Sequence, residues 1–172
     1  IGSIAIAWMS TKAPVYGNLI ARGEFSELDR IFFAALRQST VLVTLGSATF
    51  LLLLVLAGSR LPHLATRVLA PKFFVFLLLT TIMNHVAFCE AIYLRAHKRE
   101  PFLGITVIGS ILTILTTLLL GRFGAGAIAA GYFGLTILFG LPSGTYVFIT
   151  KRREWHDKGG YLHDTMVLDD RT

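Results

Sequence analysis

Four long apolar runs dominate the chain, and each is close to the length that a helix needs to cross a bilayer. They cover residues 41–58, 73–89, 102–121 and 123–150, and no Asp, Glu, Lys or Arg falls inside any of them. About 20 apolar residues coiled as an α-helix match the hydrocarbon thickness of a membrane. The pattern therefore predicts an all-α fold, a polytopic transmembrane helix bundle.

The polar stretches between these runs set the predicted helix ends. Two prolines bracket a basic link at 59–72, a second link at 95–101 is short and strongly basic, and Pro142 predicts a kink in the last run. The predicted bundle fills residues 1–150, with membrane helices at 1–20, 28–58, 73–94, 102–120 and 125–150, followed by a cytoplasmic polar tail at 151–172.

Small residues recur four apart in the last predicted helix, which favours close helix packing. They are Gly126, Ala130, Gly134, Gly140 and Gly144.

Composition supports the membrane class. The chain has 172 residues, of which 54% are hydrophobic and 15% charged, whereas soluble domains carry about 25% charged residues. The chain starts at Ile1 inside an apolar stretch and without a methionine. We therefore expect the C-terminal part of a longer protein, with the end of one helix and four further membrane helices. Cys89 lies in an apolar run, where a small buried side chain is expected.

The net charge of +6 is concentrated beside the membrane runs. Positive residues near membrane helices mark the cytoplasmic side. The link at 22–30, the link at 95–101 and the start of the tail together hold eight Lys or Arg residues, against four on the opposite face. This bias predicts a cytoplasmic C-terminus in the plasma (inner) membrane, and it argues against a nucleic-acid partner.

Polar groups inside the apolar runs are the candidates for function, because they are costly in lipid without partners. Asn84 and His85 lie near the middle of the third helix, where they either face a polar cavity or bind a neighbouring helix. Glu90 either belongs to an ion or substrate pathway or forms an interfacial ion pair with Arg95 and Arg99; the pair is the favoured interpretation.

Two cations at membrane depth are further candidates. Arg37 and Lys12 either extend to the headgroups or face the bundle interior, where they would meet an anionic group. The chain shows no motif for catalysis, for a metal or for a cofactor, and an enzyme is disfavoured. We interpret His156 as part of a solvated tail, and Ser26 with Asp29 as a capping box that begins a helix.

Several short motifs, taken together, resemble polysaccharide flippases, the Wzx-like members of the multidrug/oligosaccharidyl-lipid/polysaccharide exporter superfamily. These motifs are Trp8, PVYG at 14–17, Gly23, ELD at 27–29, YLRAHKREP at 93–101, FGAG at 123–126 and GY at 131–132. The resemblance covers about residues 1–156. It implies the end of helix eight and helices nine to twelve, which make up most of the C-terminal lobe of a two-lobe transporter.

The resemblance also implies a function. Such proteins move lipid-linked oligosaccharide precursors across the cytoplasmic membrane for surface polysaccharide, including lipopolysaccharide, by alternating access between two lobes. The expected partners are membrane lipid, the lipid-linked oligosaccharide and the N-terminal lobe of the same protein. Lys12 and Arg37 would attract the diphosphate, and Asn84, His85 and Glu90 would contact sugar or couple an ion.

Other functions stay open at this point. A drug or cation antiporter of the same superfamily would need a deep acidic residue, and Glu90 is the available one. A membrane-embedded polymerase or ligase acting on the same glycolipid would usually carry a large outer loop, and the outer links here are short. A structural membrane subunit without transport activity is the fourth alternative.

Overall fold

The structure is a computed structural model that describes residues 2–60, 71–98 and 100–169, with side chains described up to His156 except for Pro71. Within these ranges every regular element is a helix and no strand occurs, which confirms the all-α prediction. The helices are α1 (Gly2–Ser10), α2 (Ala13–Arg22), α3 (Phe25–Arg60), α4 (Pro71–Ala96), α5 (Leu103–Leu120), α6 (Ala125–Leu135) and α7 (Leu141–Asp169).

Four of the described segments are long and apolar enough to cross a membrane, which indicates a membrane protein. They are Phe25–Arg60, Lys72–Ala96, Leu103–Phe123 and Ala125–His156. The outward surface of these helices is apolar, as lipid contact requires. Leu118 is 72% exposed and Leu138 is 82% exposed, and α5 buries none of its residues within the bundle.

The first predicted helix, 1–20, is divided into α1 and α2. The second of these ends at Gly23, whose φ of 71° is left-handed and suits glycine. The Gly23 and Glu24 amides donate to the carbonyls of Ile20 and Leu19, which closes the helix end. The chain then turns directly into α3. The predicted capping box is wrong, because α3 begins at Phe25 and the Asp29 carboxylate bonds to other helices.

The central element is α4, which packs against α1, α2, α3, α6 and α7. Its C-terminal end carries Tyr93, which is fully buried. The Tyr93 ring lies 4.8 Å from the Phe32 ring and 5.3 Å from the Phe148 ring, and both pairs are edge-to-face. Such aromatic pairs add about 0.5–1.5 kcal/mol beyond the burial of their area. At this end of the bundle, α3, α4 and α7 are therefore joined by buried aromatic packing.

A π-helical turn, Thr136–Gly140, joins α6 to α7. The Leu141 amide donates to the Thr136 carbonyl, five residues back, and the next residue, Pro142, has no amide to donate. The irregularity expected from Pro142 therefore lies in the turn just before it. Such turns occur frequently at functional sites.

Several helix boundaries differ from the sequence prediction. Helix α3 begins before residue 28, and α7 continues past residue 150 to Asp169, although the charged residues 151–153 predicted its end. A helix can carry charged residues where it leaves the apolar layer, because its backbone hydrogen bonds are internal. Most of the predicted link 59–72 lies outside the described residues.

Glycine contacts explain part of the small-residue spacing. A Cβ atom at Gly126 would lie 2.8 Å from the Phe73 ring, and one at Gly131 would lie 2.2 Å from Leu120 Cδ1. Gly134, by contrast, has no neighbour within 4 Å. Close approach between α5 and α6 therefore depends on Gly131, which the four-residue spacing did not include.

Candidate functional site

A buried polar cluster lies between α3 and α4 and consists of Ser39, His85 and Cys89. His85 is 3% exposed, and its Nε2 lies 3.0 Å from Ser39 Oγ and 3.5 Å from Cys89 Sγ. The Nδ1 atom of the same ring is buried without a hydrogen-bond partner among the described residues. His85 thus makes an interhelical contact, as one of the two sequence interpretations predicted, and keeps one ring nitrogen unpaired.

Glu90 is buried one turn further along α4. Its Oε1 accepts a hydrogen bond of 3.0 Å from Thr145 Oγ1 of α7, and its Oε2 has no described partner. The predicted ion pair with Arg95 is wrong, because Arg95 Nε pairs with Glu100 at 3.3 Å. Arg99, the other predicted partner, lies outside the described residues. The carboxyl group is therefore an interior group and not part of an interfacial ion pair with Arg95.

A cleft of about 550 Å³ lies beside these groups, between α4, α5 and the π-helical turn. The Asn84 amide donates to the Tyr132 hydroxyl across it at 2.9 Å. The hydroxyls of Thr106 and Ser110 also line the cleft but bond to carbonyls of their own helix. The cleft thus offers amide and hydroxyl groups together with the aromatic face of Phe139, a lining that suits a partly polar ligand.

The two predicted cations do not join this interior. Arg37 is exposed on α3 and lines a separate groove of about 460 Å³ with Phe33 and Thr40. Lys12 is half-buried at the junction of α1 and α2, and its Nζ lies 5.7 Å from the centre of the Trp8 ring. Arg37 is therefore exposed and Lys12 half-buried, and neither has a described contact with His85 or Glu90.

A charged junction, which we call the clasp, consists of Asp29, Tyr93, Arg152 and His156. Arg152 donates twice to the Asp29 carboxylate, once at 2.9 Å to Oδ1. The Tyr93 hydroxyl donates to the same Oδ1 at 2.9 Å and lies 2.9 Å from His156 Nε2. The clasp joins α3, α4 and α7 at one end of the bundle.

Aromatic rings surround the clasp. The His156 ring lies 4.7 Å from Phe25, and the His97 ring lies 4.4 Å from Trp155. Burial lowers the pKa of His97 below its ordinary value, so this ring is favoured in its neutral form. The prediction that His156 belongs to a solvated tail is wrong, since its ring is packed between α3 and α4.

The sequence candidates are therefore separated into two groups. His85 and Glu90 are buried in the bundle and Asn84 is exposed along the cleft, whereas Lys12 is half-buried at the junction of α1 and α2 and Arg37 is exposed on α3. The sequence did not predict the clasp, because its pattern indicates a helix cap for Asp29 and the charged end of a membrane helix for Arg152. Within the described residues, no three His, Cys, Asp or Glu side chains come together as a metal site.

Comparison of the chain with family models, with curated proteins and with solved structures finds no match.

Proposed function

We propose that this chain is a membrane transporter that translocates lipid-linked oligosaccharide precursors across the cytoplasmic membrane, with its C-terminus in the cytoplasm. The proposal combines the sequence resemblance to Wzx-like flippases with the distribution of polar groups in the bundle. Surface polysaccharide biosynthesis would consume the product of such transport. A second lobe would complete the pathway by alternating access.

The observation that carries the proposal is the inward placement of polar side chains. His85, Glu90 and Thr136 are all at most 5% exposed, whereas large apolar side chains such as Leu138 face outward. Buried ionisable groups in membrane helices are costly and mark substrate or ion pathways. A sugar needs a polar lining to cross hydrocarbon, and the cleft beside Asn84 supplies amide and hydroxyl groups.

An anionic lipid carrier requires cations at the membrane surface of the pathway. Arg37 is exposed beside an apolar groove on α3, an arrangement that suits a diphosphate head with its polyprenyl chain lying in lipid. Lys12 is a second cation on the neighbouring α1 and α2 face. In the proposed transporter these two side chains attract the diphosphate, while the interior groups contact sugar or couple an ion.

The proposal is tested with the full-length protein in proteoliposomes that contain a fluorescent lipid-linked oligosaccharide. Translocation is measured as the fraction of label that becomes accessible to a sugar-modifying enzyme outside the vesicle. Arg37→Ala is expected to reduce the rate about tenfold, since a charge-assisted phosphate contact contributes about 1.5–3 kcal/mol. The matched control is Arg30→Ala, whose side chain is 76% exposed and paired with Glu27.

Unchanged translocation in Arg37→Ala would remove Arg37 from the pathway, and no translocation by the unmodified protein would overturn the proposed function. One observation favours a second function, a cation antiporter of the same superfamily. Glu90 is a buried acidic residue in a membrane helix, as cation binding would require. Export of a cationic dye without glycolipid translocation would establish that alternative.

A further inference from the structure

The surroundings of Glu90 leave half of its carboxyl group without a partner. The residue is 4% exposed, and its Oε1 accepts a hydrogen bond from Thr145. Its Oε2 is buried and has no described hydrogen-bond partner. That atom lies beside Gly144, where a Cβ would be 3.7 Å from Oε2 and 3.2 Å from the Phe102 ring. One carboxyl oxygen therefore lies beside the Gly144 backbone, on which the Phe102 ring also packs.

Of the titratable groups on the helices packed around Glu90, the Tyr16 hydroxyl of α2 and Nδ1 of His85 are buried without a described partner, and the groups that follow are engaged elsewhere. On α4, Cys89 contacts His85, and Tyr93 donates to Asp29 of α3. On α7, Arg152 pairs with the same Asp29 carboxylate. Arg95 pairs with Glu100. In the part of the chain that the structure describes, no cation forms an ion pair with Glu90.

A buried carboxylate with one hydrogen bond and no counter-ion is strongly unfavourable. A neutral carboxylic acid avoids that penalty, because its proton occupies the unpaired oxygen while the other oxygen still accepts from Thr145. We propose that Glu90 is a reversible proton-binding site inside the bundle. The structure shows the arrangement that fits its protonated state.

The same surroundings argue against a metal cation as the ligand. Hard cations such as Mg²⁺ and Ca²⁺ take about 6–8 oxygen ligands. Here one carboxyl group and one Thr145 hydroxyl meet beside the Phe102 ring, and no metal-type cluster occurs among the described residues. A proton needs a single lone pair, which Oε2 provides.

Phe102 contributes both to the surroundings of this site and to the neighbouring cleft. Its ring lines the cleft and also contacts the position of Gly144 next to Glu90. In the proposal, the proton exchanges with water through this cleft. The proton site deepens the proposed transport function and rests on it. In that function the coupling ion is a proton, which binds to Glu90 next to the polar cleft.

A hydrophobic carbodiimide tests the protonated state directly. Dicyclohexylcarbodiimide reacts with protonated carboxyl groups in apolar surroundings: the acid adds across one C=N bond, and the adduct rearranges to a stable N-acylurea without a leaving group. The full-length protein in detergent is labelled at neutral pH and mapped by mass spectrometry. Labelling at Glu90 is expected to exceed that at Glu100 more than about tenfold, because each pKa unit changes the protonated fraction tenfold.

Glu100 of the same protein is the matched control, because its side chain is 61% exposed and paired with Arg95. Glu90→Gln is expected to abolish the label without changing labelling elsewhere. Thr145→Val removes the hydroxyl that stabilises the carboxylate and should extend labelling to higher pH, and Thr145→Ser should restore the original pH dependence. A merely structural hydroxyl would not move that pH dependence.

Infrared spectroscopy provides a second readout that needs no reagent to enter the site. The difference spectrum between the unmodified protein and Glu90→Gln should contain the C=O stretch of a protonated carboxylic acid at neutral pH. Absence of that band in folded protein would overturn the proposal whether or not the carbodiimide reacts. If the band is present and glycolipid translocation fails, the proton site stands and the proposed substrate is wrong.

Discussion

At the scale of single residues, the surroundings of a side chain decide its role more than its type does. Asp29 and Glu90 are both acidic residues near helix ends in the sequence. Asp29 accepts hydrogen bonds from Arg152 and Tyr93, so its charge is compensated by a cation and a hydroxyl. Glu90 has one hydroxyl donor and no described cation. The first arrangement stabilises a carboxylate, and the second favours the neutral acid.

The clasp makes a stability prediction at this scale. Asp29→Asn leaves the Arg152 guanidinium, whose side chain is 29% exposed, without its counter-ion. We expect the free energy of unfolding to fall by about 1–3 kcal/mol, because a partly buried charge loses its partner. The measurement is a denaturation titration of the protein in mixed micelles, followed by tryptophan fluorescence.

Glu27→Gln serves as the control, because Glu27 pairs with Arg30 on an exposed face and should contribute little. A double-mutant cycle with Arg152→Gln then isolates the pair. If the effects of Asp29→Asn and Arg152→Gln simply add, the clasp does not hold the bundle together in the way described.

At the scale of elements, α3 shows how one helix meets two environments. Its buried residues follow a stripe with helical spacing, from Leu28 to Ser47, and no residue beyond Ser47 is buried within the described bundle. Such a stripe is the packing face of an amphipathic helix. Helix α3 therefore packs into the bundle as far as Ser47, and beyond it the helix is only partly covered, with the Phe50 ring 5.6 Å from the Phe74 ring of α4.

Close packing of α5 on α6 leads to a prediction about stability. A Cβ at Gly131 would lie 2.2 Å from Leu120 Cδ1 and 2.8 Å from Thr116 Cγ2. Gly131→Ala should therefore push the Leu120 and Thr116 side chains aside and cost about 1 kcal/mol, the lower end of the cost of overpacking, because side-chain ends can move. The same denaturation titration measures it.

Gly134→Ala is the matched control, since Gly134 lies on the same helix and has no neighbour within 4 Å. It should be neutral or slightly stabilising, because alanine is the better helix former. Equal destabilisation by the two substitutions would show that backbone flexibility and not helix approach is what these glycines provide.

At the scale of the whole molecule, charges from separate parts of the chain meet at one end of the bundle. The contacts of Asp29 with Tyr93 and Arg152 bring the start of α3, the end of α4 and the charged turn of α7 together. Because successive membrane helices run in opposite directions, the sequence predicts that these three regions lie on the same side of the membrane. Their basic residues predict that this face is cytoplasmic.

Reporter fusions test that orientation. Green fluorescent protein fused after Thr172 should fluoresce, and alkaline phosphatase at the same position should be inactive, because the phosphatase folds only outside the cytoplasm. Fusions at Gly124, in the turn between α5 and α6, should give the opposite pair of signals. Active phosphatase at Thr172 would reverse the proposed orientation.

The sequence by itself determined the four membrane-length helices and their apolar outer surface. Hydrogen bonds within a helix are local, and lipid contact requires apolar side chains, so both properties can be read from short windows of sequence. It also indicated the irregularity before Pro142 and the interhelical role open to His85. These are properties of one residue and its near neighbours in the chain.

Only the tertiary structure decided which polar groups meet. Asp29 and Arg152 are 123 residues apart in the chain, and Glu90 and Thr145 are 55 apart. Their pairing depends on how α3, α4 and α7 pack. The hydrophobic periodicity of a single helix does not specify that packing. The sequence therefore predicted a pair between Glu90 and Arg95, which are close in the chain, whereas packing buried Glu90 against α7 and left one of its oxygens unpaired.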